Sequence, residues 1–301
     1  MIDSFYTAAA RDNLMFERTF SIFSFLLSGI AGVACCGIAT AQTANQGLIQ
    51  TTPTLTPSSP AISEADMQRG IELSAGFQNL SAGLGSWREV TLRGIYGLPS
   101  HVLQGELSVN RRFNKDGVFV GLSDTYTFNE DWYGSVAVGF GDGAFYLPKY
   151  RVNATLYKKW LPQRNLVTSI GVGKYKAPDG HVDNSLALGV VYYFDAPWVA
   201  EFGLNANSSN PGAIKTQQQF LALTYGRAKE NLVTVRHAWG NEGYQTIATN
   251  APQLVNFASK ESSVSWRHWF APRTGVSLSA NRYTNPFYIR SGMNIGIFHD
   301  F

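Results

Sequence analysis

Charge is scarce in this chain. Asp, Glu, Lys and Arg make up 15% of the 301 residues, against roughly 25% in ordinary soluble domains. The cations behind the net charge of +3 are spread out, with no basic run. That spacing excludes a nucleic-acid-binding arm, so no nucleic acid is expected as a partner. Cysteine is almost missing. Cys35 and Cys36 are adjacent, inside an N-terminal apolar run, and if that run is cleaved neither a disulfide framework nor a thiolate metal site remains. No paired histidines and no acidic repeat are present either, so neither metal nor cofactor is expected. After the N-terminal run no second apolar stretch is long enough for a helical membrane span.

What is present points outward from the cytoplasm. Thr19 to Ala34 is apolar and small, Arg18 precedes it, and Ala39-Thr-Ala41 follows. This reads as a secretory signal over residues 1–41, cut after Ala41, with Met15 an alternative start. A lipoprotein signal acylated at Cys35 is the rival reading, but Gly32 stands where such signals prefer Leu. Residues 42–68 are rich in Thr, Ser, Pro and Gln and uncharged as far as Ser63. They suit a flexible periplasmic lead-in.

From Arg69 to Phe301 the texture is strict alternation. Ile71, Leu73, Ala75 and Phe77 fall opposite Glu72, Ser74 and Gln78; Val90 and Leu92 fall opposite Glu89, Thr91 and Arg93; and the pattern recurs to the end. Period two marks strands with one apolar and one polar face. A soluble sandwich alternates in the same way, but it would have to bury these Glu, Arg and Lys residues at its centre. Aromatics such as Trp87, Tyr133, Trp160, Trp198, Trp266, Trp269 and Tyr288 crowd the strand ends, as interfacial girdles require.

Connection lengths give the topology. Short turns (Pro99-Ser100, Asn129 to Asp131, Leu161 to Asn165, Asp195 to Pro197, Arg227 to Glu230, Ala271 to Arg273) interleave with mostly longer ones. The longer set is Leu80 to Ser86, Asp142 to Pro148, Ala177 to Asn184, Ser208 to Thr216, Glu242 to Ser259 and Thr284 to Phe287, with the tight Asn114 to Gly117 as the exception. The fold expected is an all-β, antiparallel up-and-down transmembrane barrel of about fourteen strands, or twelve if the edges of the weaker segments near Gln217 or Tyr283 lie elsewhere. In lipid every backbone amide must be paired, so the last strand must close on the first near Ile71. Glu89, Arg93, Glu106, Arg112, Arg151, Tyr157, Lys159, Glu201, Arg236 and Arg267 are then the candidate lumen lining. Arg93 and Glu106 are expected to neutralise each other. Met293, Ile295, Ile297 and the terminal Phe301 resemble the assembly signal of outer-membrane barrels, with His299 where such signals often carry Tyr.

The segment from about Arg69 to Phe301 resembles the YaiO-like outer-membrane barrel family. The residues that carry this are Asn110-Arg-Arg-Phe113, Asp131-Trp-Tyr133, Tyr146-Leu-Pro-Lys-Tyr-Arg151, Arg267-His-Trp269 before a Pro turn, and the terminal Phe. The resemblance implies the outer membrane of a Gram-negative cell, and it brings no catalytic residues with it. The expected role is a passive channel, or a membrane component linked to surface polysaccharide export or assembly. A surface-exposed structural or binding barrel with a plugged lumen, serving phage or ligand adsorption, is the alternative, and an outer-membrane lipid hydrolase the third. Expected partners are outer-membrane lipid and lipopolysaccharide, the barrel assembly machinery, and polysaccharide synthesis or export proteins.

Reaction chemistry is hard to find. None of His101, His181, His237, His268 and His299 is followed two residues later by Ser, the spacing that puts both on one face of a strand. Glu242 in the longest loop and Asp142 in the Gly-rich loop could form a carboxylate pair, although acidic loop residues are usually just solvated. Gly139-Phe-Gly-Asp-Gly143 lacks the strand-to-helix context of a phosphate loop. No enzymatic activity is expected.

Overall fold

The structure is a computed structural model that describes residues 67–195, 197–245 and 253–301. The signal and cysteine readings, and the lead-in as far as residue 66, lie outside the described residues. The first seven strands are β1 (Arg69–Leu80), β2 (Ser86–Gly97), β3 (His101–Arg112), β4 (Lys115–Thr127), β5 (Trp132–Gly141), β6 (Tyr150–Trp160) and β7 (Leu166–Lys176). The other seven are β8 (Val182–Tyr193), β9 (Trp198–Asn210), β10 (Ile214–Arg227), β11 (Asn231–Gln245), β12 (Gln253–Ala271), β13 (Thr274–Thr284) and β14 (Ile289–Asp300). Each pairs antiparallel with its chain neighbours, and β14 pairs with β1 to close the barrel. The segments near Gln217 and Tyr283 are full strands, so the count is fourteen.

The alternation sorts the side chains. Leu73, Val90, Leu122, Val172, Val235, Met293 and Ile295 lie on the outer surface, with Met293 71% exposed. A girdle of this kind would aggregate in water and matches a hydrocarbon core. Inward positions are mostly polar, glycine, alanine or aromatic, with a few aliphatic residues such as Val167 and Leu232 near the strand ends. Both ends of the barrel chain reach one rim, where Phe301 donates its N–H to the carbonyl of Arg69 at 3.0 Å. With the short turns this is the periplasmic rim.

Three features depart from the sequence reading. The connections Ser208 to Thr216 and Glu242 to Ser259 are mostly strand: β9 runs to Asn210 and β10 resumes at Ile214, while β11 reaches Gln245 and β12 begins at Gln253. Apolar alternation ends where the lipid ends, but ladder hydrogen bonding does not. The 19 residues of β12 span about 60 Å at 3.3 Å each, more than a tilted crossing needs. Second, Trp87, Tyr133, Trp269 and Tyr288 are buried on inward positions and belong to no lipid girdle, because their parity is that of the polar face. Trp160, Trp198 and Trp266 do stand outward. Third, Glu242 is a buried strand residue. The tight hairpin after β3 turns on Phe113 and Asn114, with φ of 49° and 59°, as a two-residue type I′ turn demands.

Candidate functional site

The inner wall holds most of the buried charge, and its first cluster lies across the seam. Glu72 on β1 reaches over Gly296 on β14 to accept hydrogen bonds from Ser277 on β13 (2.7 Å) and Arg267 on β12 (2.5 Å). Glycine is required beneath this bridge: a Cβ on Gly296 would lie 2.5 Å from Ser277 Oγ and 3.0 Å from Glu72 Oε1. One carboxylate thus ties β1 to β13 and β12 across the closing strand β14.

Beside the seam, Arg93 donates to Glu106 at 3.0 Å, joining β2 to β3 as their direct cross-strand register places them. Nearer the extracellular rim Arg112 sits 3.5 Å from Glu89 and 3.0 Å from Asn110 Oδ1. Its guanidinium lies over Trp87 (5.0 Å) and Tyr146 (5.1 Å). Arg290 covers the same Trp87 at 5.3 Å and donates to Glu261 at 3.2 Å. Trp87, Arg112 and Arg290 are each at most 2% exposed, and such burial of charge is tolerable only with these partners. The connection after β5 joins this layer, its Tyr146 hydroxyl lying 3.0 Å from the carbonyls of Asn110 and Lys115.

Elsewhere cations lie on aromatic rings folded over glycine. Arg151 covers Phe119, Arg236 covers Phe220 and Arg267 covers Phe298, at 4.4, 4.3 and 3.4 Å. An added Cβ on Gly139, Gly203 or Gly275 would come within 2.5, 2.2 and 2.2 Å of those rings, so the missing side chain is where the ring sits. Glu201 and Arg236 flank the small Ala222 on neighbouring strands. Lys159 lies 5.6 Å above the Tyr133 ring, and Tyr133 stacks on Tyr157 with centroids 4.4 Å apart. Arg151 and Tyr157 occupy opposite ends of β6 and are not brought together.

Charge is concentrated on β1–β3 and β12–β14. The wall from β7 to β9 presents Ser169, Gly171 and Gly173, then Ser185, Ala187 and Gly189, then Asn205, with Gly203 beneath the Phe220 ring and Glu201 as the charge on this stretch of β9. The sequence reading passed over Glu72, Trp87, Glu261, Arg290 and Phe298 as site residues. All lie on the polar, inward parity of their strands, so carrying the face assignment to every strand and strand end would have found them.

Outside the lumen, His237 Nδ1 lies 2.8 Å from Ser262 Oγ on the lipid-facing surface. They are direct cross-strand partners on β11 and β12, a pairing that spacing along one strand cannot reveal. Among the described residues no carboxylate bonds the other nitrogen of His237, so nothing orients it as a base. Glu242 and Asp142 do not form a pair. Glu242 accepts from Gln218 (3.1 Å) and Tyr283 (2.9 Å), while Asp142 accepts the backbone N–H groups of Val118 and Ala144.

At the extracellular end His181 lies between Asp179 (2.7 Å) and Asp183 (3.4 Å), and Asp183 also accepts from Asn207 and the Ser209 hydroxyl. Burial disfavours the charged ring, but hydrogen bonding to Asp183 and the charges of both carboxylates outweigh it and raise the His181 pKa. A raised pKa stabilises the folded loop fully below the unfolded value of about 6.5 and loses that contribution as pH rises through the folded value. Amide exchange across residues 177–183, corrected for its intrinsic pH dependence, is therefore expected to quicken from mildly acidic to alkaline pH in the native chain but not in His181→Asn. Identical profiles would remove the ion pair from the account.

Comparison with known proteins adds family and fold. The YaiO membrane beta barrel domain matches residues 68–245. No curated protein matches the chain. Among solved structures, the CymD monoaromatic hydrocarbon channel is similar with a TM-score of 0.51 and 11% identity, over 78% of this chain and 87% of that one. The COG4313 outer membrane channel from Pseudomonas putida F1 gives 0.50 and 9%, over 82% and 100%. A bacterial polysaccharide outer membrane secretin gives 0.50 and 10%, over 77% and 98%.

Proposed function

Because the chain belongs to the YaiO membrane β-barrel family and lies in the outer membrane, we propose that it is a passive channel for uncharged hydrophilic solutes, carbohydrates above all. The observation that carries this reading is the pairing of charge on the inner wall. Glu72, Glu89, Glu106 and Glu261 each have an arginine within 3.5 Å, and Glu201 and Arg236 flank Ala222 from either side, so the two signs largely offset each other. Facing them, the serines, glycines and asparagine of β7–β9 form a hydrogen-bonding surface of low relief, suited to a sugar. The solved channels share only the fold.

In this reading residues 1–41 serve export, the closing strand is what the assembly machinery recognises, and the cellular partners are polysaccharide synthesis or export proteins. The role is non-enzymatic. A barrel with a plugged lumen, acting as a surface-exposed binding or structural protein, is the second reading, favoured by the buried Trp87, Arg112, Tyr146 and Arg290 layer.

Planar-bilayer recording separates the two. Purified folded protein is expected to give discrete conductance steps with a cation-to-anion permeability ratio near one, and Arg93→Gln is expected to shift that ratio toward cations by leaving Glu106 uncompensated. Liposomes carrying the protein should swell in disaccharide solutions. Folded protein that never conducts and never admits sugar would leave the plugged reading standing and the channel rejected.

A further inference from the structure

The outer surface carries a second feature, independent of whether the lumen conducts. On the lipid side, Ser86, Asn79, Ser291, Arg282, Ser262 and His237 are successive lateral partners across β2, β1, β14, β13, β12 and β11. This continuous polar row crosses the seam at the extracellular edge of the apolar band. Directly below it is an apolar groove of about 570 Å³. Phe77, Leu278, Met293 and Ile295 wall the groove, and the small Ala75 and Ala280 give it depth.

Cations stand at both ends of the groove. On β2, Arg88 is the lateral partner of Phe77 on one side and of Arg111 on the other. Like charges directly opposite each other on one face are destabilising, and Asp116 relieves only Arg111, at 2.9 Å. On β12 and β13, Lys260 and Arg282 occupy successive outward rows. Among the described residues Arg88, Lys260 and Arg282 have no acidic partner. The periplasmic rim differs, since Arg164 there pairs with Glu130 and Asp131, and Lys229 with Asp300.

We propose that this surface is a binding site for one bisphosphorylated glycolipid of the outer leaflet, of the lipid A class. Its acyl chains lie in the groove, its sugar hydroxyls and amides meet Asn79, Ser86 and Ser291, and its two phosphates meet Arg88 with Arg111 at one end and Lys260 with Arg282 at the other. Three strand spacings separate β2 from β13, about 14 Å at 4.8 Å each. A disaccharide bearing a phosphate at each end has a comparable reach. Guanidinium–phosphate contacts are charge-assisted and bidentate, and here they sit beside hydrocarbon, where screening by salt is weak.

The test is native mass spectrometry of the folded full chain in detergent, titrated with bisphosphorylated lipid A, monophosphorylated lipid A or inorganic phosphate. Arg88→Gln with Arg111→Gln, and Lys260→Gln with Arg282→Gln, are each expected to weaken bisphosphorylated lipid A about tenfold or more. Ala280→Trp, which fills the groove and leaves the cations intact, should weaken it as well. Monophosphorylated lipid A should bind less tightly, and inorganic phosphate should not displace either lipid. Lys174→Gln with Lys176→Gln, on the far side of the barrel, is the control. Unchanged affinity in the site variants, an equal loss in the control, or displacement by inorganic phosphate would each overturn the proposal, provided heat-modifiability shows that every variant is folded.

Discussion

Replacing Glu72 with alanine is expected to lower the stability of the refolded barrel by about 3–5 kcal/mol, the cost of stranding one member of a buried ion pair. Arg267, Glu72 and Ser277 lie on three strands with the closing strand between them. The loss should therefore show as unfolding at lower urea and as earlier loss of heat-modifiable mobility. Arg267 also rests on Phe298 and Trp269, so the double variant Glu72→Ala, Arg267→Met places an apolar chain in apolar surroundings and should recover much of the loss. A single variant as stable as the native barrel would show that the bridge contributes nothing to closure.

Deleting Phe301 should do the opposite. Its side chain is 56% exposed, and among the described residues its backbone N–H donates to the carbonyl of Arg69, so urea stability of refolded protein should change by only about 1 kcal/mol. Assembly in cells should nevertheless fall severalfold, measured as heat-modifiable protein in the outer membrane, because in the proposed reading the assembly machinery recognises the closing strand by its terminal aromatic. If assembly and urea stability fall together, the residue acts through the fold; if neither falls, the signal reading fails.

The face assignments were readable from sequence because period two is a local property. Once Leu73 points to lipid, Glu72 points to the lumen, whatever the partner strand. The strand count and the closure of β14 on β1 followed from turn chemistry and from the requirement that no edge be left in hydrocarbon. What escaped the sequence depends on lateral neighbours. That Glu72 meets Arg267, or His237 meets Ser262, needs register and the order of strands around the wall, and two of those strands are separated in sequence by almost the whole barrel. Boundaries were misjudged where strands rise beyond the lipid, as in β11 and β12, because polarity on both faces looks like loop. The buried Trp87 and Trp269 were misread for a related reason, since an aromatic near a strand end suits either surface and only its parity decides.

The concentration of paired charge on one side of the wall, opposite the small residues of β7–β9, also bears on electrical behaviour. Glu72 reaches Arg267 across β14 and β13, and Arg93 meets Glu106 on the adjacent strand, so each dipole runs from strand to strand, more around the wall than along the barrel axis. The field they create in the lumen is therefore mainly transverse. It can orient a passing dipolar molecule without doing work on its transit, and an applied transmembrane voltage exerts little torque on the pairs. A conductance that stays constant across voltage, without the closures that axial gating charges produce, is the behaviour this geometry favours.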